Sequence, residues 1–331
     1  MHCSRKYLLS FFLAICTYSL SAEKSPYAKI DAYAKSIKGI NDIGLLSKKL
    51  TTPYNTELEK VRSIFRWMAE NIAYDTKEYH CDSAHSAYKN IWNKLLADTA
   101  VKDPLKEYDR RLADYVLKNK KGICAGYAYL FKALCDDADL KAEIVNGRAK
   151  NSVKQIGTAF ESNHAWNAVM IDNKWELIDV TWCTGSCDDS VKVFKKAFSE
   201  AYFLAPPSKM IFNHLPDDKK WALVPTSPTE SQFYDYPLLH DGFFKHEVIS
   251  FSPQNAIIEG KVGKKISFEL RVPDDDTQIS VGSGKGSNEV RIKKMEKVST
   301  FEYTVTSDKE DTLTIYYKGD AVMIYRIIVV P

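Results

Sequence analysis

Three segments of the chain hold residues that could act together as a thiol catalyst: Gly122-Ile-Cys124-Ala-Gly-Tyr, Ser162-Asn-His164-Ala-Trp-Asn and Leu177-Ile-Asp179-Val-Thr-Trp182. A cysteine nucleophile needs a base to take its proton, and the base needs a partner that fixes its tautomer and orientation. Cys124, His164 and Asp179 supply those three types in that order. Cys124 follows Lys121-Gly122 and opens a stretch in which Tyr127, Leu130, Phe131 and Leu134 fall on one helical stripe. The thiol is therefore expected at a helix N-terminus, where unpaired N–H groups and the helix dipole favour the thiolate. The same amides can face a carbonyl oxygen, so the Cys124 N–H is a candidate oxyanion donor. Gly122 and Gly126 are expected to leave room for a substrate chain. Taken alone, a cysteine at this position is equally well a buried structural residue.

A second element must hold the base. Residues 165–171 and 175–180 are rich in β-favouring types and flank Asp172-Asn173, a two-residue hairpin turn. With that loop, residue 166 faces 179, and His164 becomes a diagonal cross-strand neighbour of Asp179 on the same sheet face. A three-residue loop without a bulge would put the two on opposite faces. A lone histidine on a strand is ordinarily a hydrogen-bonded core residue; the carboxylate partner and the helix-opening thiol favour the catalytic reading here.

The motifs carry a family resemblance. Gly122-x-Cys124-x-Gly126-Tyr-Ala128, His164-Ala-Trp-Asn167-x-Val169 and Trp175-x-Leu177-x-Asp179-Val-Thr-Trp182 resemble the transglutaminase-like core, a papain-related fold. The stretch from Glu59 through Trp67, Asn71 and Tyr74 to Asp75 is similar to the helix ahead of that core in the kyphoscoliosis peptidase-like branch. Tyr202-Phe-Leu204 through His214-Leu-Pro216 to Trp221 resembles the same branch, so the likeness covers residues 50–240. It implies Cys124 as nucleophile, His164 as base and Asp179 as orienting acid. Cys183 and Cys187 depart from the pattern, standing where small residues are expected. The side-chain oxyanion donor that such folds place upstream has two candidates, Trp92 and Tyr74.

The fold class expected is α+β: a papain or transglutaminase-like core of helices packed on an antiparallel sheet, followed by a small all-β immunoglobulin-like sandwich. Residues 55–72 have helical periodicity, and Thr56 with Glu59 makes a capping box. Further helices are expected near 27–37, 84–96 and 104–117, with a strand over 141–150. Residues 225–237, rich in Pro, Ser and Thr, read as a linker or wrapping segment, with Phe233, Tyr234 and Tyr236 laid over the core. Beyond 244, short β runs recur between turns, at 248–251, 266–272, 279–281, 290–292, 301–305, 313–317 and 322–330. The domains expected are 1–22 as a signal peptide, 23–242 as the core domain with its Cys-His-Asp part over 115–225, and 243–331 as the β domain.

Residues 1–22 have a basic head, an apolar run from Tyr7 to Cys16 and small residues before Glu23, the pattern of an export signal. An uncleaved anchor is the alternative, and Leu13-Ala-Ile-Cys16 resembles a lipobox except for the bulky Ile15. Export to the periplasm, the cell surface or the medium is expected, with membrane contact only through this signal or a lipid anchor. The formal charge of +3 falls to +1 without residues 1–22, which argues against a nucleic-acid partner. Five cysteines then remain, Cys81, Cys124, Cys135, Cys183 and Cys187, so in an oxidising compartment at least one stays unpaired. Cys183 and Cys187 could close a small disulfide loop, or be free thiols or half of a metal site. His80, Cys81 and His85 lack a fourth donor at zinc spacing. Neither metal nor cofactor is expected. The function expected is an exported cysteine-dependent enzyme that acts on amide bonds of a peptide or protein substrate, cell-wall peptide included, through a thioester, with peptidase or amidase activity favoured. The alternatives are protein-glutamine acyl transfer and a non-catalytic binding module.

Overall fold

The computed structural model describes residues 25–82, 85–188, 190–274, 276, 278–283, 288–289, 292–307 and 311–330. The export signal expected over 1–22 and residues 290 and 291 of the strand expected at 290–292 lie outside them. The N-terminal half is built from helices α1 (Ala28–Ser36), α2 (Ile43–Thr51) and α3 (Glu57–Asn71), strand β1 (Ala73–Tyr74), helices α4 (Thr76–Tyr79), α5 (Ala87–Ala97) and α6 (Pro104–Asn119), and strand β2 (Lys121–Gly122). The Thr56 and Glu59 capping box is formed at α3, whose face bearing Val61, Ile64, Phe65, Trp67 and Met68 is buried. β1 and β2 pair in parallel with Tyr74 opposite Gly122, which fixes the entry to helix α7 (Cys124–Asp136). Tyr127, Leu130, Phe131 and Leu134 of α7 are all buried, so the apolar stripe read in the sequence is the face that packs.

A four-stranded antiparallel sheet follows, its first three strands being β3 (Ala142–Ala149), β4 (His164–Ile171) and β5 (Lys174–Ile178). Next come α8 (Val180–Thr184), β6 (Gly185–Cys187), β7 (Phe194–Lys196), α9 (Pro207–Met210) and β8 (His214–Pro216). The sheet order is β5-β4-β3-β8, with α7 packed against β3 and β4. The β4–β5 loop is two residues long, and Asp172 and Asn173 both take positive φ, 50° and 63°, as a primed hairpin turn requires. Asn167 pairs with Ile178 and Ala168 with Leu177, so the register is the one that places residue 166 opposite 179. Strand β5 stops at Ile178, two residues before the expected end. Val180-Thr-Trp182 are β-favouring types, yet Asp179 caps a short helix through its side chain, and that cap overrides their preference.

The segment 225–237 holds α10 (Glu230–Asp235), capped reciprocally by Thr229 and Gln232, with Phe233 and Tyr234 buried. After it come β9 (Leu238–Leu239), α11 (Asp241–Lys245), β10 (Ser250–Ser252), β11 (Ile257–Gly260), β12 (Lys265–Arg271), β13 (Ile279–Gly282) and β14 (Asn288–Glu289). The chain ends with β15 (Ile292–Met295), β16 (Val298–Thr304), β17 (Thr312–Tyr317) and β18 (Asp320–Val329). They form two sheets, β10-β12-β16-β15 and β11-β18-β17-β13-β14, with β9 added against β18. Phe268, Leu270, Phe301, Ile315, Tyr317 and Tyr325 share the core of this β unit. Among the described residues, no helix is long and apolar enough to cross a membrane.

Candidate active site

Cys124 is the first residue of α7, half-buried, and its neighbour Ile123 donates its N–H to the Tyr88 hydroxyl at 3.2 Å. That bond anchors the start of the helix to α5. Gly122 and Gly126 serve the same packing. A Cβ on Gly126 would collide with the Tyr88 hydroxyl and come within 2.7 Å of Val116, and one on Gly122 would lie 2.9 Å from that hydroxyl. The expectation that these glycines open a path for substrate is therefore corrected: they let α7 sit against α5 and α6.

His164 begins β4, and its Nε2 lies 2.7 Å from Asp179 Oδ2. Its remaining ring nitrogen is Nδ1, and its side chain is hydrogen-bonded to Cys124. Asp179 has no exposed surface, and its two oxygens have separate tasks. Oδ1 accepts the Trp182 N–H at 3.0 Å and so caps α8. Oδ2 receives His164 and, at 3.0 Å, Nε2 of His214 on β8. Because an ionised carboxylate only accepts, both Nε2 atoms carry protons. The expected thiol, imidazole and carboxylate are thus brought together, and a second histidine joins them.

The electrostatics follow from burial and pairing. Burial alone would raise the Cys124 thiol, but the adjacent His164 charge outweighs it and holds the thiol below its ordinary value. Burial likewise opposes charge on His164, yet Asp179 and Cys124 carry it up to about 10. Asp179 resists the same desolvation through its two imidazole partners and stays well below the usual carboxylate range. His214 goes the other way: burial pushes it down more than Asp179 lifts it, so it is neutral. These shifts favour a thiolate and imidazolium pair beside a buried carboxylate.

Aromatic rings wall this cluster. Trp166 stacks on His164 with centroids 6.0 Å apart, Trp182 lies 5.6 Å from His164 and 4.4 Å from His214, and Tyr202 meets Trp182 edge-on at 5.0 Å. Such walls exclude water and strengthen the charges inside. Of the two side-chain oxyanion candidates, Tyr74 is near the thiol: burial and then the Cys124 charge keep its phenol protonated, hence a donor. Trp92 instead packs edge-on against Tyr108 at 5.5 Å.

His164, Asp179 and His214 also place ligand atoms within 4.8 Å of one another, close enough for a metal. Their contacts are those of two N–H donors on one oxygen, so the three groups already satisfy each other. His80 and His85 are engaged separately, with the Ser190 carbonyl at 3.0 Å and Asp82 at 2.7 Å, and do not assemble a site with Cys81. The five described cysteines are unpaired. The disulfide considered between Cys183 and Cys187 is not formed, because Cys183 points into the core from α8 while Cys187 lies half-buried on β6. His214 was not legible as a site residue. It lies 35 residues from Asp179, and only its place in a short buried run, Asn213-His214-Leu215, hints that an imidazole there needs a partner.

Residues 80–180 match the family model of the transglutaminase-like superfamily. Kyphoscoliosis peptidase of Homo sapiens is 29% identical over 248 residues, which cover 74% of this chain and 34% of that protein. Cytokinesis protein 3 of Saccharomyces cerevisiae is 27% identical over 229 residues, covering 67% of this chain and 23% of its own. A crystal structure of a TGase is similar over 50% of this chain and 35% of its own, at 18% identity and a TM-score of 0.26. Residues 80–180, which hold Cys124, His164 and Asp179, are thus a transglutaminase-like domain by family match. The similarity to kyphoscoliosis peptidase, at 29% identity in the human and mouse proteins, supports the kyphoscoliosis peptidase-like branch of that superfamily. The chain spans about a third of the length of kyphoscoliosis peptidase.

Proposed function

We propose that this chain is a cysteine-dependent enzyme that attacks amide bonds of a peptide or protein through a Cys124 thioester, with hydrolysis the favoured outcome. The observation that carries the reading is His164 held between Cys124 and Asp179, with Asp179 fully buried. The Cys124 thiolate adds to the amide carbonyl, and the oxyanion forms facing the N-terminal amides of α7, with the Tyr74 hydroxyl as a further donor. His164 gives its Nδ1 proton to the leaving amine, and the C–N bond breaks to leave an acyl-thioester. A water then yields a proton to His164 and attacks the thioester, releasing the carboxylic acid and restoring the thiol pair. An amine in place of water would give acyl transfer by the same steps. Hydrolysis is favoured because the relatives at 29% identity are named as peptidases.

We further propose that the enzyme works outside the cytoplasm on cell-surface or cell-wall peptide, a reading supported by the basic head and apolar run of residues 1–22. Fractionation tests location: full-length protein confined to the cytoplasm would overturn export. For the chemistry, the protein is offered a glutamine-containing peptide with and without a primary amine, and the products are weighed. Acid product in both cases, lost in Cys124→Ala, is expected. An amine adduct would move the assignment to acyl transfer. A Cys124 that reacts with a thiol-directed electrophile no faster than the buried Cys135 would remove the enzymatic reading and leave a binding module.

A further inference from the structure

We infer that His214 is a fourth member of the site, a positioning residue that acts on the Cys124 and His164 pair through Asp179; this rests on the thiol-enzyme reading above. Its Nε2 lies 3.0 Å from Asp179 Oδ2, the same oxygen that His164 Nε2 reaches at 2.7 Å. Strand β8 sets that geometry: Ala149 of β3 pairs with His214, and Gly147 pairs with both Pro216 of β8 and His164 of β4. The two histidines are thereby delivered from strands on either side of β3. The His214 ring is fixed by Trp182 at 4.4 Å, Trp166 at 5.1 Å, Tyr202 at 5.2 Å and His164 at 5.5 Å.

The remaining nitrogen, Nδ1, is buried without a hydrogen-bond partner. A buried nitrogen left unpaired is costly, and it is tolerated here because Nε2 must carry the single proton of a neutral ring to meet a carboxylate. The ionisable groups facing the ring are Asp179, His164 and Tyr202, with Cys183 behind Asp179 and Asp241 beyond Tyr202. With two donors on one oxygen, Asp179 keeps its charge in a dry pocket and cannot rotate away from His164. Without His214, the carboxylate would hold His164 less firmly, so the imidazolium would be lost at lower pH and the thiolate formed at higher pH. The reactive window would close from both sides.

Electrophile labelling of Cys124 against pH, in the full chain and in His214→Phe and His214→Gln, tests this. In His214→Phe, the acid limb of labelling is expected to move up by about one pH unit, the equivalent of one hydrogen bond. His214→Gln, whose amide can still donate, should restore much of the parent profile. A lower amplitude with an unmoved acid limb in both variants would overturn the inference and leave His214 a packing residue. A parent protein with no activated thiol would instead defeat the thiol-enzyme reading. Should His214→Phe fail to fold, ¹⁵N spectra of the histidine rings in the parent protein decide. The signals lost in His214→Gln must belong to a neutral, Nε2-protonated ring across the reactive window; an Nδ1-protonated or titrating ring overturns the inference.

Discussion

Cys124 is a thiol in conflicting surroundings, and the balance between them fixes how it should respond to pH. Burial disfavours the thiolate, and the neighbouring imidazolium favours it more strongly. The sign is then set: with the thiol below its ordinary value of 9.0, the reactive thiolate forms at lower pH than in a free cysteine and is lost as pH falls through the lowered value. His164, raised above its ordinary 6.5 to about 10, keeps its charge across the same range and loses it only in alkali. Iodoacetamide alkylation of Cys124 should therefore reach its plateau at lower pH than that of a free cysteine and hold it into the alkaline range. A rate that climbs only as an ordinary thiol ionises would contradict this assignment. Cys135, driven up by complete burial and opposed by no cation strong enough to reverse it, should stay inert throughout.

At the scale of elements, the site depends on how closely α7 approaches α5 and α6. The Tyr88 hydroxyl sits against Gly122 and Gly126 and takes the Ile123 N–H, so it braces the turn that presents Cys124. Gly126→Ala should cost about 1–3 kcal/mol by overpacking, read as a lower urea midpoint. Val116→Ala in the same chain should recover part of that loss, whereas purely additive losses would show that Val116 does not limit the approach. The hairpin that joins base to acid was legible in the sequence because a two-residue Asp-Asn turn fixes register, and register fixes face. The helix behind Cys124 was legible from its apolar stripe. What the local pattern hid was decided by tertiary partners. Val180-Thr-Trp182 reads as strand, but the Asp179 side chain caps it into a helix. Gly122 and Gly126 read as open space because the residues that fill it, Tyr88 and Val116, lie on other helices. His214 reached the site only because β3 seats β8 and β4 on its two sides.

At the scale of the whole molecule, the core and the β unit are stitched together next to the site. β9, ahead of the boundary expected at 243, already pairs with β18, and Arg326 reaches the Ile156 carbonyl at 2.9 Å. Asn213, adjacent to His214, is fully buried and donates to the Tyr202 hydroxyl at 2.9 Å and the Leu239 carbonyl at 2.8 Å, while its Oδ1 accepts the Leu239 N–H at 3.0 Å. One side chain thus ties the aromatic wall of the site to the strand that enters the second sheet. Asn213→Ala would leave the Leu239 backbone groups without their Asn213 partners in a dry interface, at a cost of about 2–4 kcal/mol. Because those bonds cross between the two units, the full chain should unfold in a single calorimetric transition, and Asn213→Ala should lower it or split it in two. Two separate transitions in the parent chain would mean that the β unit and the core unfold independently. In that case Asn213→Ala would shift only the transition of the unit it stabilises, and the thiol window of Cys124 would outlast melting of the β unit.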